Sequence, residues 1–206
     1  MMKCSQIISK LAERAYDEVL CDLYEDSLLL NNQKFRYVEA LKKYMELYGD
    51  DEVMVISVGG RSEIGGNHTD HQHGRVLACA INLDIIGIVS PDDQVRLNSD
   101  GRKLKFDAGD LNYNRKEERS TLALVKGVMK GLADKNWKTG GFRAYLTSDV
   151  LVGSGMSSSA AFEVMIGNII SHLYNDGQIP DVELAKVGQY AENVYFGKPS
   201  GLMDQM

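Results

Sequence analysis

Gly153-Ser154-Gly155-Met156-Ser157-Ser158-Ser159-Ala160-Ala161 is the stretch on which the fold turns. Ahead of it, Phe142–Thr147 predicts a strand. Behind it, Ala161, Val164, Met165 and Ile169 recur at helical period and predict a long helix over Ser157–Tyr174. Glycines allow close backbone approach, the free N–H groups at a helix start point at an anion, and the helix dipole adds favourable potential. The segment therefore reads as a phosphate cradle between strand and helix. It is not a Walker loop, since no Gly-Lys-Ser/Thr follows at the required spacing, and Gly-x-Ser-x-Gly is absent too. The plainer alternative is an ordinary Gly/Ser turn leading to an N-cap serine.

Outward from the cradle, helices and strands mix. Apolar residues recur at helical period over Ser5–Leu23 and Lys34–Tyr48, with Asn31-Asn32 expected as the turn between and Gly49-Asp50-Asp51 as the stop. Val53–Val58 is short, β-branched and wholly apolar, the pattern of a buried strand, and a glycine-broken polar loop follows over 59–74. Val76–Ile81 and Asp84–Ser90 predict further strands, and Val95–Asn98 with Lys103–Phe106 predicts a hairpin turning at Ser99-Asp100-Gly101. Arg119–Ala133 and Asp181–Phe196 predict helices, the second capped by Asp181 after Pro180. The class is α+β, with no internal repeat.

Composition narrows the function. Of 206 residues, 44% are apolar, enough for a real core; 23 basic against 29 acidic side chains leave a net charge of -6, and no Lys/Arg cluster offsets it. A nucleic-acid backbone is therefore not an expected partner, and any anion must meet a local site. Three cysteines without Cys-x-x-Cys spacing give neither a disulfide framework nor a zinc ribbon, which fits a cytoplasmic location. No apolar run reaches membrane-spanning length, so no membrane partner is expected. Nothing in the pattern specifies an oligomeric state.

Two further constellations carry chemistry. The loop Gly60-Arg61-Ser62-Glu63-Ile64-Gly65-Gly66-Asn67-His68-Thr69-Asp70-His71-Gln72-His73-Gly74 packs an arginine, carboxylates and three imidazoles into one span. His68, Asp70, His71 and His73 could ligate a metal as a zinc hydrolase does, although the spacing matches no such signature. Alternatively Asn67, His68 and Asp70 form a hydrogen-bonding rack for a polyol. Near the end, Glu192 sits late on a helix and Asp204 follows 12 residues later, after a Gly/Pro turn, so two carboxylates could converge; a solvated glutamate and a capping aspartate is the plainer account.

In this order, GRSEIGGNHTDHQHGRVL, GSGMSSSAAFEV and AENVYFGKPSGLMDQ resemble the three N-terminal signatures of the galactokinase family, within the GHMP sugar and metabolite kinases, over about Tyr37–Met206. The resemblance implies a GHMP-kinase-like N-terminal domain of the ribosomal protein S5 domain 2-like type, with a C-terminal ferredoxin-like domain largely missing. The expected division is a helical extension over 1–50 and the kinase domain over 51–206. The implied reaction is ATP- and Mg²⁺-dependent phosphorylation of the anomeric (C1) hydroxyl of galactose or a related sugar. Asp204 matches the proton-accepting aspartate and Arg61 the arginine facing the transferring phosphoryl group. Gly153, Ser154, Gly155, Met156, Ser157, Ser158 and Ser159 match the ATP loop, Ser159 and Glu192 the Mg²⁺ ligands, and Asn67, His68, Thr69 and Asp70 the sugar contacts. The physics agrees: a guanidinium beside a carboxylate favours its charged form and offsets charge on phosphoryl oxygens, and hard oxygen ligands suit Mg²⁺.

The chain departs from the family at Asn67, where galactokinases carry Glu, at His71, where they carry Tyr, and at Gly59-Gly60-Arg61, where they carry Pro-Gly-Arg. A sensor that binds galactose and ATP without turnover is the rival, and the intact Ser157-Ser158-Ser159-Ala160 run argues against it. Because the chain stops on the apolar Gly201–Met206 without a polar tail, it is expected to be an incomplete piece that binds nucleotide weakly and does not turn over alone.

Overall fold

The computed structural model describes residues 1–150 and 155–206. Its centre is a six-stranded sheet in the order β1-β2-β3-β6-β4-β5, with β1 Met2–Lys3, β2 Glu52–Gly65, β3 Leu77–Asp92, β4 Gln94–Ser99, β5 Arg102–Asp107 and β6 Gly141–Ser148. Neighbours run antiparallel except β4 and β6, which are parallel. Helices α1 Cys4–Ala12, α2 Asp17–Tyr24 and α3 Leu30–Tyr48 cover one face. Helices α4 Thr121–Asp134, α5 Ser158–Tyr174 and α6 Asp181–Tyr190 cover the other.

The sandwich follows from β3. Side chains alternate across a strand, and Ile85 and Val89 enter the core under α4–α6 while Ile86 and Ile88 enter the core under α1–α3. A strand covered on both faces has no polar side, which is why this run is uninterruptedly apolar. Gly87 lies where α5 comes closest: a Cβ there would meet Met165 Sδ at 2.9 Å.

Several boundaries differ from expectation. The first predicted helix is two, because Arg14 takes a left-handed φ of +67° and breaks it after Ala12. Asn31 and Asn32 lie within α3 and not in a turn. Asp26 accepts the Leu28 amide in a 3₁₀ turn, Ser27–Leu29, that runs directly into the helix, and both asparagines stay exposed in its first turn, where amides need no carbonyl partner. β2 continues through Gly65 into the expected loop, carried by register shifts at Gly59/Arg61 and Glu63/Gly65, and the two strands expected after it are the single β3. The hairpin is as predicted. Pro180, not Asp181, is the N-cap of α6, with Asp181 in the first turn, where its charge suits the dipole. That helix stops at Tyr190 and passes into a π-helical turn, Ala191–Phe196.

Candidate active site

Arg61 is the centre of the site. Only 7% exposed on β2, it reaches across to the last turn of the chain. Its Nε donates to Asp204 Oδ1 at 3.0 Å, Nη2 meets the same oxygen, and Nη1 donates to the Gly155 carbonyl at 2.9 Å. Nη2 also lies 3.4 Å from His68 Nε2, while His68 Nδ1 stands 3.9 Å from Asp204 Oδ1. One guanidinium thus gathers the histidine-bearing loop, the glycine-serine segment and the late aspartate. Gly60 makes room for this, since a Cβ there would press on Val150 Cγ1 at 3.1 Å and the Met156 carbonyl at 3.2 Å.

Asp70 ties the loop to the chain's end. Its Oδ2 accepts the Met203 amide at 2.9 Å, and the carboxylate fills the space where a side chain at Gly201 would stand. Burial works against the charge of Asp70, yet the amides of Met203, His71 and Asp70 itself hold its carboxyl below the usual range. The Thr69 hydroxyl donates to the Gly66 carbonyl at 2.7 Å, within the loop itself. Asn67 is exposed at a φ of +55° and makes no side-chain hydrogen bond among the described residues.

The cradle segment is described from Gly155, which has φ +80°; Gly153 and Ser154 lie outside the described residues. Met156 packs on the main core. Ser157 takes φ +50° immediately before α5, and its side chain makes no capping hydrogen bond, so the N-cap alternative lacks the bond that defines it. Ser158 and Ser159 open α5 and line a cleft of about 570 Å³ with Lys103, Leu104, Ser120 and Leu124. A second cleft of about 660 Å³ lies beside Arg61, Asp70 and Asp204.

Ser159 and Glu192, 33 residues apart, come together: the serine hydroxyl donates to Glu192 Oε1 at 3.4 Å. Glu192 is 1% exposed. Among the described residues no group of three or more His, Cys, Asp or Glu side chains is arranged to hold a metal, so the four-residue zinc alternative has no cluster behind it. No helix is long and apolar enough to cross a membrane among those residues.

A family model described as "GHMP kinases N terminal domain" matches residues 123–206, and one described as "Galactokinase galactose-binding signature" matches 42–91. The chain is 35% identical to the galactokinase of Clostridium tetani over 171 residues and 37% identical to that of Lactobacillus helveticus over 173, covering 81% of this chain in both cases. This chain carries the N-terminal domain of the GHMP kinases. It spans about 43–44% of the length of those galactokinases. Among solved structures, a Lactococcus lactis galactokinase complexed with galactose superposes with a TM-score of 0.73 at 29% identity, over 80% of this chain and 44% of that one. A mevalonate kinase of Methanococcus jannaschii, at TM-score 0.63 and 22% identity, shares the fold.

Three further side chains complete the candidate site, and neither Lys198 nor Gln205 is marked by a sequence pattern of its own. Lys198 donates to Glu192 Oε1 at 2.8 Å, and that hydrogen bond raises the lysine further above its ordinary value. Gln205 bridges two carboxyl groups, donating to Glu163 Oε2 at 3.0 Å and Glu192 Oε2 at 3.2 Å. Glu163 is fully buried on α5, and burial pushes its carboxyl up to about 8. The spacing of Glu163 four residues after Ser159 puts both on one helix face, a signal the sequence did carry.

Proposed function

We propose that the protein carrying this chain transfers the γ-phosphoryl group of ATP to the anomeric hydroxyl of galactose or a related neutral sugar. The observation that carries the reading is the ion pair of Arg61 with Asp204, across 143 residues of sequence, against the Gly155 carbonyl and His68. Asp204 accepts the C1 hydroxyl proton as the sugar oxygen bonds to the γ-phosphorus. The bond from that phosphorus to the bridging oxygen breaks, and ADP leaves with the electron pair. Arg61 offsets charge spread over the phosphoryl oxygens, where most of the catalytic advantage of such a site lies. Gly153–Ser159 cradle the phosphates, and Asn67, His68, Thr69 and Asp70 face the sugar.

A buried carboxylate and a hydroxyl 3.4 Å apart are the hard oxygen set that Mg²⁺ takes when phosphates and water complete its shell. Ser159 and Glu192 would hold it. Mg²⁺ bound there would offset charge on the nucleotide phosphates. We assign residues 1–50 to a helical extension, 51–206 to the kinase domain, and the cytoplasm as the location, in keeping with three unpaired cysteines.

Titrating the chain with galactose and with MgATP tests the binding half. Phosphorus NMR of the whole protein with ATP and a panel of neutral hexoses tests the chemistry, with a sugar 1-phosphate expected. Binding of both ligands with no sugar phosphate from any hexose would overturn the reading.

A further inference from the structure

Glu63 has no part in the roles above, yet its carboxylate is built into the loop. It follows Arg61 by two residues on β2, so both side chains leave the strand on one face. Only 18% of its side chain is exposed, although it borders an exposed turn. Its Oε1 accepts the His68 amide at 2.9 Å, and Oε2 lies 3.5 Å from His68 Nε2. The turn it grips needs a tie. Asn67 and His68 both sit at left-handed φ, +55° and +53°, which costs on the order of 1–3 kcal/mol for each non-glycine residue. The imidazole held in this way presents Nε2 to Arg61 at 3.4 Å and Nδ1 to Asp204 at 3.9 Å. Asn67, beside it, contributes no charge.

We propose that Glu63 is the positioning residue of the sugar-facing loop, holding the His68 backbone and ring beside Arg61 and Asp204. The proposal rests on the reading of that loop as a sugar site. Asp70 and Asp204 line one cleft with Arg61, and carboxylates so placed disfavour sugars that already carry a phosphate or carboxylate.

The test compares Glu63→Ala and Glu63→Gln in the full 206-residue chain. It uses calorimetric galactose titration, MgATP titration and amide hydrogen exchange at His68, with thermal melting to confirm folding. Removing the acceptor in Glu63→Ala is expected to weaken galactose binding about tenfold and to speed His68 amide exchange about tenfold, with MgATP affinity unchanged, as loss of one charge-assisted hydrogen bond implies. Glu63→Gln keeps an oxygen for the His68 amide and is expected to stay within about threefold of the parent in both readouts. Galactose binding by Glu63→Ala within about twofold of the parent, or equal losses in the two variants, overturns the proposal. If the parent binds no galactose, the sugar-site reading falls. His68 exchange then decides the positioning claim alone, and an unchanged rate in Glu63→Ala refutes it.

Discussion

Glu163→Gln should make the protein more stable, and increasingly so as pH rises. The Glu163 carboxyl is fully buried, and burial moves it from 4.5 in the unfolded chain to about 8 in the fold; the amide of Gln205 opposes that shift, and the charge of Glu192 adds to it. Between those pH values the unfolded chain has lost this proton and the folded chain keeps it. The folded state then binds more protons, so stability falls as pH rises through the window and levels off above about 8. A gap of about 3.5 pH units, at about 1.4 kcal/mol per unit, makes the full loss ~5 kcal/mol. That is a large share of the roughly 5–15 kcal/mol that holds a domain together. Glutamine keeps the shape and the oxygen that accepts from Gln205 Nε2, and it brings an N–H pair to a place where Glu163 Oε1 and Gln205 Oε1 both lack partners among the described residues. Urea unfolding of both proteins at intervals from pH 4.5 to 9 isolates this one group, since every other titration is shared. The two curves should nearly meet at the acid end and separate by several kcal/mol at the alkaline end. A difference that stays flat within ~1 kcal/mol across the range would refute the reasoning.

Asp204→Asn in the whole protein should lower kcat by roughly 10²–10⁴, the usual worth of a positioned base, with galactose and MgATP binding retained in calorimetry. Gly201→Ala places a methyl on the Asp70 carboxylate and should break its bond to the Met203 amide, at a cost of ~1–3 kcal/mol in denaturant melts. Tyr24→Phe removes the hydroxyl that donates to buried Asp84 at 2.8 Å and lies 3.1 Å from the Tyr37 hydroxyl. It should also cost ~1–3 kcal/mol, visible as a lower urea midpoint with nucleotide binding unchanged.

The parts of this fold that could be read from sequence are those where local pattern and burial agree. Ile85–Val89 has no polar side because helices cover both faces, and the Ser99-Asp100-Gly101 turn has Asp100 and Gly101 at φ +46° and +88°, conformations those residue types tolerate. Where tertiary contacts decide, the pattern misleads. Arg14 breaks a helix with no glycine or proline to announce it, and β2 runs on past Gly59 because β3 pairs with it that far. The site divides in the same way. Helical spacing links Ser159 to Glu163, but nothing local links Ser159 to Glu192 or Arg61 to Asp204, and only resemblance to whole signatures brought those pairs forward. Glu63 went unnoticed because its partner is a backbone amide five residues on, in a turn whose two left-handed residues no composition rule foretells.

The long-range contacts of Arg61 share one physical cause, which lies in how the sheet is built. β2 and β3 pair well beyond the region that both helical layers cover, and Arg61 stands where the cover ends. A guanidinium that far out of water must have its N–H groups satisfied and its charge balanced, and burying it alone would cost several kcal/mol. A carboxylate and a carbonyl meet that need, from the last turn at Asp204 and the glycine before α5. The side chain that offsets phosphoryl charge in the proposed reaction is therefore also the one that assembles the site, so changing Arg61 should release Asp204 and Gly155 together. The partner of Asp204→Asn is then Arg61→Gln. If Arg61 assembles the site, Arg61→Gln should weaken nucleotide binding as well as turnover, whereas Asp204→Asn should affect turnover alone. Calorimetry finding full MgATP affinity in Arg61→Gln would separate the two roles and remove the assembly argument.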